Sequence, residues 1–529
     1  VLSKSFQYSL IVAFGGFIFG LDAAIISGTV KFISIEFNLS DLQLGSVVGA
    51  PGLGVVIALL FTGLLTDRYG RKNVLLGIAM LYIVSAISSA LAPTFEALIA
   101  ARFLGGLAFT SLTVSAMYIG EIAPAHLRGK LVSSNQINIV VGLSTAYFLN
   151  YIILQLSDSQ YPWVQSLGLD EHIWRWMLAT EVLPAIAWLA LLVSVPRSPR
   201  WLLFRGREAE ARLAMGKLRP AGVIDEEIET MKGNIDANQD DRSLRSQFKI
   251  LISKRMRLAF FVGLTIAIAQ QTTGINAVLF YAPTVFEQVG IGTDAAFMQA
   301  VFVGLSSLVF TLLALLLIDK VGRRPLTLWG LLWLVISLAV CGFAFRSSTY
   351  TLTDEVHATL AEVVDTEKLT GMVGIEYSSD IDFKNALKEA LGPSAARAKE
   401  SQLIQEAANM PSTLILFGIL SFICAFHFSV GPVMWVLFSE IFPIAIRSLA
   451  IPFFALITSI VSYLVQQFFP VLLNTFGADV VFFLYAGVTF IGWLVLVKIL
   501  PETKNKSLEE IERSMSGILK PNIKGGDFA

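Results

Sequence analysis

Twelve apolar runs, parted by short polar stretches, fill most of this chain: near residues 6–28, 46–66, 73–92, 96–120, 131–154 and 174–195, then 257–288, 295–319, 325–345, 412–440, 447–475 and 479–500. Each matches or exceeds the roughly 20 apolar residues that carry a helix across a hydrocarbon core of about 30 Å. No water reaches a loose N–H or C=O in lipid, so runs of this length are helices. The pattern predicts an all-α membrane protein with twelve spans. Basic residues gather after every second run: Arg68, Arg71 and Lys72; Arg128 and Lys130; the stretch 197–257; Lys320, Arg323 and Arg324; Arg447; Lys504 and Lys506. Lys and Arg accumulate in cytoplasmic loops, which puts these loops and both termini on the cytoplasmic face of a cell membrane.

One polar stretch occurs twice. Thr66-Asp67-Arg68-Tyr69-Gly70-Arg71-Lys72-Asn73 returns as Ile318-Asp319-Lys320-Val321-Gly322-Arg323-Arg324-Pro325. An acid, a base, a glycine and two further bases, at one spacing, mark a duplicated unit, with halves at 1–195 and 257–504. Gly70 and Gly322 supply the backbone freedom for a tight turn between spans. The preference for basic cytoplasmic loops explains the Lys and Arg but not the acid ahead of them, so each copy is a functional charge cluster beside a helix end.

Two longer polar excursions interrupt the runs. Residues 196–256 are helix-compatible on both sides of a Pro220-Ala221-Gly222 break and begin with the apolar anchor Pro199-Arg200-Trp201-Leu202-Leu203, which predicts a small cytoplasmic helical domain between the halves. Residues 346–411 fall on the opposite face and carry more acids than bases, which predicts a small cap or a mobile loop. The tail, 505–529, is short.

Composition changes little in this picture. Apolar residues make up 55% of the 529 and charged ones 15%, as expected when lipid is the solvent. A formal net charge of −1 gives no argument for nucleic-acid partners. Cys341 and Cys424 both lie in apolar runs and read as packed thiols, with no disulfide framework and no metal pattern. No Ser–His–Asp set and no phosphate-cradling loop points to an enzyme, and no cofactor is implied. The start at Val1 reads as trimmed, and the first run as a span rather than a signal peptide.

Polar residues inside the runs carry the chemistry. Asp22 stands alone in the first run, between Leu21 and Ala23, where an ionised carboxylate is costly without a cation. Arg102, near the start of the fourth run, is the candidate partner. Burial raises a carboxyl pKa and a nearby guanidinium lowers it, so a pair that separates and closes can release and rebind a proton. The alternative is a static ion pair that fixes helix register. Gln136, Gln270, Gln271 and Asn276 form a second constellation. Amides donate and accept without charge, which suits a ligand with many hydroxyls. Aromatic faces at Phe19, Phe280, Tyr281 and Trp435 suit the C–H face of a sugar ring. Thr272-Thr273-Gly274 beside the amides predicts a broken helix at a midplane site; the competing reading is hydrogen-bonding glue between helices.

Together these residues resemble the sugar porters of the major facilitator superfamily over nearly the whole chain, the 346–411 insertion excepted. The matching motifs are Asp67 to Lys72; Tyr118-Ile119-Gly120-Glu121-Ile122-Ala123-Pro124 with Arg128-Gly129; Ser198 to Leu202; Gln270-Gln271 through Asn276; Gly431-Pro432-Val433-Met434-Trp435 with Ser439-Glu440-Ile441-Phe442-Pro443; and Pro501-Glu502-Thr503-Lys504. The resemblance implies two six-helix halves rocking about a central sugar site, in a chain that is monomeric by default. It also implies a cytoplasmic charge network that locks the outward-facing state: Asp67, Arg71, Glu121 and Arg128 in the first half, Asp319, Arg323, Glu440 and Arg447 in the second. The pattern is closest to proton-coupled monosaccharide symporters, which carry the acid of the first helix, whereas facilitative animal glucose carriers typically have an amide there. Five positions depart from the family. Arg197 replaces a Glu, which removes one acid from the first lock; Ser307 replaces a sugar-binding Asn; Phe280 replaces the first Tyr of a pair; and Thr458 with Ser459 stands where one proton-coupled relative carries Gln and Trp. The sugar site is therefore rearranged on its second-half side, at Ser307 and Thr458.

The expected activity is import of a monosaccharide together with a proton by alternating access. A uniporter, in which Asp22 and Arg102 are only structural, and a transport-silent sugar sensor remain the alternatives; a hexose, a pentose and a cyclic polyol are equally open as substrate.

Overall fold

A computed structural model describes residues 4–123, 128–238, 244–354, 366–506 and 510–511. Among them, eleven helical tracts are long and apolar enough to cross a membrane. The last, Leu449–Ile499, has 51 residues, more than twice what one crossing needs. It lies within a helix, Ile444–Ile499, that breaks at Gly477 (φ 85°, ψ 165°), so the spans number twelve. The first half holds Lys4–Glu36, Asp41–Tyr69, Arg71–Ala90, Phe95–Ile122, Arg128–Ser157 and Ile173–Ser194. The second holds Arg257–Glu287 in three helical pieces, Thr293–Val321, Arg323–Arg346, Ser412–Ile441, and the two arms on either side of Gly477.

The two charged islands are the expected turns. Gly70 (φ 82°, ψ 153°) and Gly322 (φ 106°, ψ 162°) each end one span and begin the next, in the conformation that Gly477 also adopts. Each turn is also crowded. A Cβ on Gly70 would stand 3.1 Å from the Trp201 ring, and one on Gly322 2.6 Å from Glu502 Oε2.

The stretch after the sixth span is helical, as expected: Pro199–Phe204, Glu208–Gly216, Ile224–Asn238 and Leu244–Leu251, with a short 3-10 turn at Ala221–Val223 where the Pro-Ala-Gly break was placed. Its anchor is Trp201, nearly buried, whose indole Nε1 donates to the Asp67 carbonyl at 2.8 Å. Ser5 donates to the Leu218 carbonyl at 2.9 Å, so the start of the first span also rests on this domain. The face that carries it is called the linker side below, and the opposite face the insertion side.

The insertion is a folded cap. Strand Thr349–Thr351 pairs antiparallel with Glu376–Tyr377 on one edge and Ala408–Asn409 on the other, so the entry and exit of the cap are tied together. Helices Asp380–Leu391 and Pro393–Ala407 complete a small core around Tyr350, Phe383, Leu387, Leu403 and Ile404. Lys384 is buried at the base of the cap, 3.3 Å from both Asp380 and Glu400. Burial alone would depress the Lys384 ammonium, but the Glu400 and Asp380 carboxylates carry it above the ordinary lysine range. Burial would raise the Glu400 carboxyl, but Lys384 and the Gln288 amide hold it below the ordinary carboxylate range.

Two predictions follow from these contacts. Gly70→Ala and Gly322→Ala each cost about 1–3 kcal/mol by forcing a side chain into this backbone conformation, whereas Gly77→Ala, in a helix interior with nothing near its Cβ position, is neutral or stabilising; apparent melting temperatures in detergent check the contrast. A carboxyl depressed on folding contributes stability above its unfolded pKa and loses it as pH falls through the folded one, so the Glu400 contribution is constant from pH 8 to about 5 and lost below about pH 4. Hydrogen exchange over residues 380–404, corrected for its intrinsic pH dependence, is the measurement.

Candidate functional site

The first-half core closes around an ion pair. Asp22 lies midway along the first span and is fully buried, and Arg102, on the fourth span, is 2% exposed. Arg102 Nη1 donates to Asp22 Oδ1, and Nη2 reaches the Asp22 carbonyl at 3.4 Å. Gly105, one turn further along the fourth span, lets the two helices approach: a Cβ there would lie 2.9 Å from Asp22 Oδ2 and 2.6 Å from Ser85 Oγ. Asp22 Oδ2 and Arg102 Nε have no protein hydrogen-bond partner, so the pair is under-satisfied for its depth. A third ionisable group, Glu181, is buried in the break between Ile173–Ala179 and Val182–Ser194 and interacts electrostatically with both. Two carboxyl groups therefore lie near one guanidinium.

The amides of the second half also come together. Gly274 (φ 81°) breaks the seventh span between Thr272 and Ile275, as Thr272-Thr273-Gly274 predicted, and Thr273 Oγ1 caps the break by donating to the Gln270 carbonyl at 2.7 Å. Gln271 donates to Gln270 at 3.0 Å, and Asn276 donates to Gln271 at 2.8 Å and to Ser462 at 2.7 Å. Gln466 donates to the same Ser462 hydroxyl at 2.7 Å. Tyr281 donates to the Gln466 carbonyl at 3.2 Å. Phe280 is half-buried and packs against the core clusters of both halves. Phe19 stacks edge-on against Phe109, and Trp435, 42% exposed, edge-on against Phe438.

Other expected ligands stand apart from this network. Gln136 is half-buried on the fifth span. Ser307 is fully buried with no protein partner for its hydroxyl. Thr458 donates back to the Phe454 carbonyl of its own helix at 2.9 Å, which ties up the hydroxyl proton but leaves the oxygen as acceptor.

The charge networks form on the linker side, within each half. Arg71 holds Asp67 at 3.3 Å and Glu121 at 2.9 Å; Arg323 holds Asp319 at 2.9 Å and Glu440 at 2.8 Å. The side chain of Arg128 lies outside the described residues, and Arg447 donates to the Phe442 carbonyl at 3.1 Å. The halves differ as Arg197 foretold. In the second half Glu502 accepts from the backbone N–H of Arg323 and Arg324, both at 3.1 Å, and caps the ninth span, while Thr503 donates to Glu440 at 2.6 Å. In the first half Ser198 takes the place of Thr503 beside Glu121, but Arg197 takes the place of Glu502 and pairs outward with Glu210 at 3.6 Å, so the third span lacks the carboxylate cap that the ninth has from Glu502.

The halves meet on the insertion side. Lys31 pairs with Glu287 and donates to Thr293, both at 2.8 Å. Gln155 reaches Asp294 at 3.3 Å, Ser144 donates to the Gly304 carbonyl at 2.7 Å, Gln467 donates to Ser46 at 2.9 Å, and Asn474 to Asp41 at 2.9 Å. All but Ser144 and Gly304, which sit near the middle of their helices, lie toward the insertion-side ends of their spans. These contacts lie between the central amides and that face.

Sequence reasoning passed over Glu181, Ser462, Gln466 and the capping role of Glu502. A lone acid in the sixth run was the available signal for Glu181; Ser462-Tyr463-Leu464-Val465-Gln466-Gln467 offered polar residues at helical spacing in the eleventh. Arg197→Glu is predicted to restore the missing cap and stabilise the chain by about 0.5–1 kcal/mol, read as a rise in apparent melting temperature; no rise would mean that residue 197 does not reach the Arg71 amide.

Comparison with known proteins agrees with this architecture. A family model described as "Sugar (and other) transporter" matches residues 8–361 and 396–515. The arabinose-proton symporter of Bacillus subtilis is 31% identical over 500 residues, covering 94% of this chain and 92% of its own. The D-xylose-proton symporter of Escherichia coli is 31% identical over 543 residues, covering 96% and 95%. The solved structure of the E. coli xylose transporter in a partially occluded, inward-open conformation superposes with a TM-score of 0.71 at 29% identity, covering 95% of this chain and 99% of its own.

Proposed function

The chain belongs to the sugar transporter family, and on that premise we propose that it imports a monosaccharide together with a proton by alternating access. It is a multi-pass membrane protein and a transporter rather than an enzyme. In this reading it lies in the cell membrane with the linker side and both termini in the cytoplasm, and it works as a monomer. The insertion side then faces out, and the polar contacts between the halves lie toward it.

The observation that carries the proton is the buried Asp22–Arg102 pair with Glu181 beside it. Protonation of Asp22 removes its charge, frees Arg102 and lowers the cost of separating the first and fourth spans; deprotonation toward the cytoplasm restores the pair and resets the carrier. The sugar binds between the halves, with Gln270, Gln271 and Asn276 hydrogen-bonding its hydroxyls, Gln136 facing them from the first half, and Phe19, Phe280, Tyr281 and Trp435 offering apolar faces. Ser307 and Thr458 are short where the family is longer, and they leave room on the second-half wall. The charge clusters about Arg71 and Arg323 close the linker side in the opposite state, with Asp67, Glu121 and Arg128, and Asp319, Glu440 and Arg447, as their partners.

Asp22→Asn is predicted to keep sugar counterflow in proteoliposomes and to lose accumulation against a gradient. A panel of hexoses, pentoses and inositol, with and without an inward proton gradient, identifies the sugar in the wild type. Accumulation that survives Asp22→Asn would remove Asp22 from the coupling step.

A further inference from the structure

The family model leaves residues 362–395 unmatched, so the centre of the cap lies outside the part of the chain that the family model describes. The cap does not stand free of the membrane domain. Helix Pro393–Ala407 packs against the first span and against Ala282–Glu287, and helix Asp380–Leu391 against the eleventh and twelfth spans near Gly477. Its polar grip falls on one residue. Lys384 Nζ donates to Gln288 Oε1 at 2.6 Å, and Gln288 Nε2 donates to Glu400 Oε1 at 3.3 Å. On either side of this grip, Ser412 Oγ donates to the Val289 carbonyl at 3.0 Å, and a Cβ on Gly292 would stand 2.9 Å from Gln405 Oε1.

Gln288 is the sequence neighbour of Glu287, and Glu287 is the second-half member of the ion pair that joins the halves: its Oε1 lies 2.8 Å from Lys31 Nζ and accepts from Thr293 Oγ1 at 2.8 Å. We propose that the cap is a brace on this gate: through Gln288, Lys384 positions the segment 282–293 so that Glu287 meets Lys31 and the insertion side stays closed. Lys384 touches neither the gate pair nor the central amides, so it is a positioning residue. Its burial between two carboxylates fixes the ammonium in place, and a fixed donor restrains Gln288 more tightly than a solvated one.

The motion that the brace opposes is the one named under the proposed function, but the test reads access without any sugar, so a failure to transport and a failure of the brace are separate results. Phe280, half-buried about two turns inside the gate, is the reporter: Phe280→Cys on a Cys341→Ala, Cys424→Ala background, alkylated by a membrane-impermeant maleimide added from the insertion side. Gln288→Met is the variant of choice, because Lys384 then keeps Asp380 and Glu400 and the cap keeps its core. It is expected to speed alkylation roughly three- to tenfold, as a shift toward the open population does. Lys31→Met, which breaks the gate pair directly, is expected to do the same, and the double variant to label no faster than the faster single one, since both act on one contact. An unchanged rate in Gln288→Met, or rates that multiply in the double variant, would overturn the brace.

Discussion

The structure turns on a cost: an ionised carboxylate at the centre of a lipid-embedded bundle has no water to stabilise it. Asp22 meets that cost through Arg102, and Arg102 must lie on another helix, so the first and fourth spans are held in one register for as long as the pair is charged. Gly105 exists to allow the approach, since any side chain there would strike Asp22 or Ser85. A buried pair of this kind adds little net stability, because desolvation offsets most of the Coulomb attraction. What it adds is a condition: the helices cannot part cheaply while both groups are charged. Glu181 places a second buried acid near the same guanidinium.

Around that centre the fold separates fixed elements from moving ones. The Arg71 and Arg323 clusters bind within their own halves and stiffen the hairpins at Gly70 and Gly322. Contacts that cross between the halves are of another kind: the second span packs on the eleventh and the fifth on the eighth, and among the described residues the polar contacts that cross there are a few hydrogen bonds and the Lys31–Glu287 ion pair. Such contacts are individually weak and can be exchanged for others in a second packing of the same rigid units, which is what alternating access needs. The two halves are not equivalent. Glu502 caps the ninth span, while Arg197 leaves the third without that carboxylate and adds positive charge to a helix N-terminus.

Much of this was legible in the sequence because lipid imposes lengths and glycine turns impose residues. The twelve runs, the two hairpin glycines, the break at Gly274 and the pairing of Asp22 with Arg102 all rest on local pattern or on a single unsatisfied charge with one evident partner. The cap was not legible beyond its location. Its strands are two and three residues long, one of their two pairings, Thr349 with Asn409, joins distant ends of the insertion, and Lys384 finds its partners on its own helix, on a second helix and on the seventh span. Glu181 was visible as a letter but not as a neighbour, since nothing in the sequence places the sixth run beside Asp22. Gln466 and Ser462 join the Gln270–Asn276 cluster from the eleventh span for the same reason.

Coupling between the buried ion pair and the sugar is the central claim, and proton flux tests it most directly. In de-energised proteoliposomes holding the wild-type protein, addition of the transported sugar should make the external medium alkaline, as protons enter with it, at a rate proportional to sugar entry. Sugar that equilibrates across the membrane with no change in external pH would contradict the account and leave Asp22, Arg102 and Glu181 as structural groups alone.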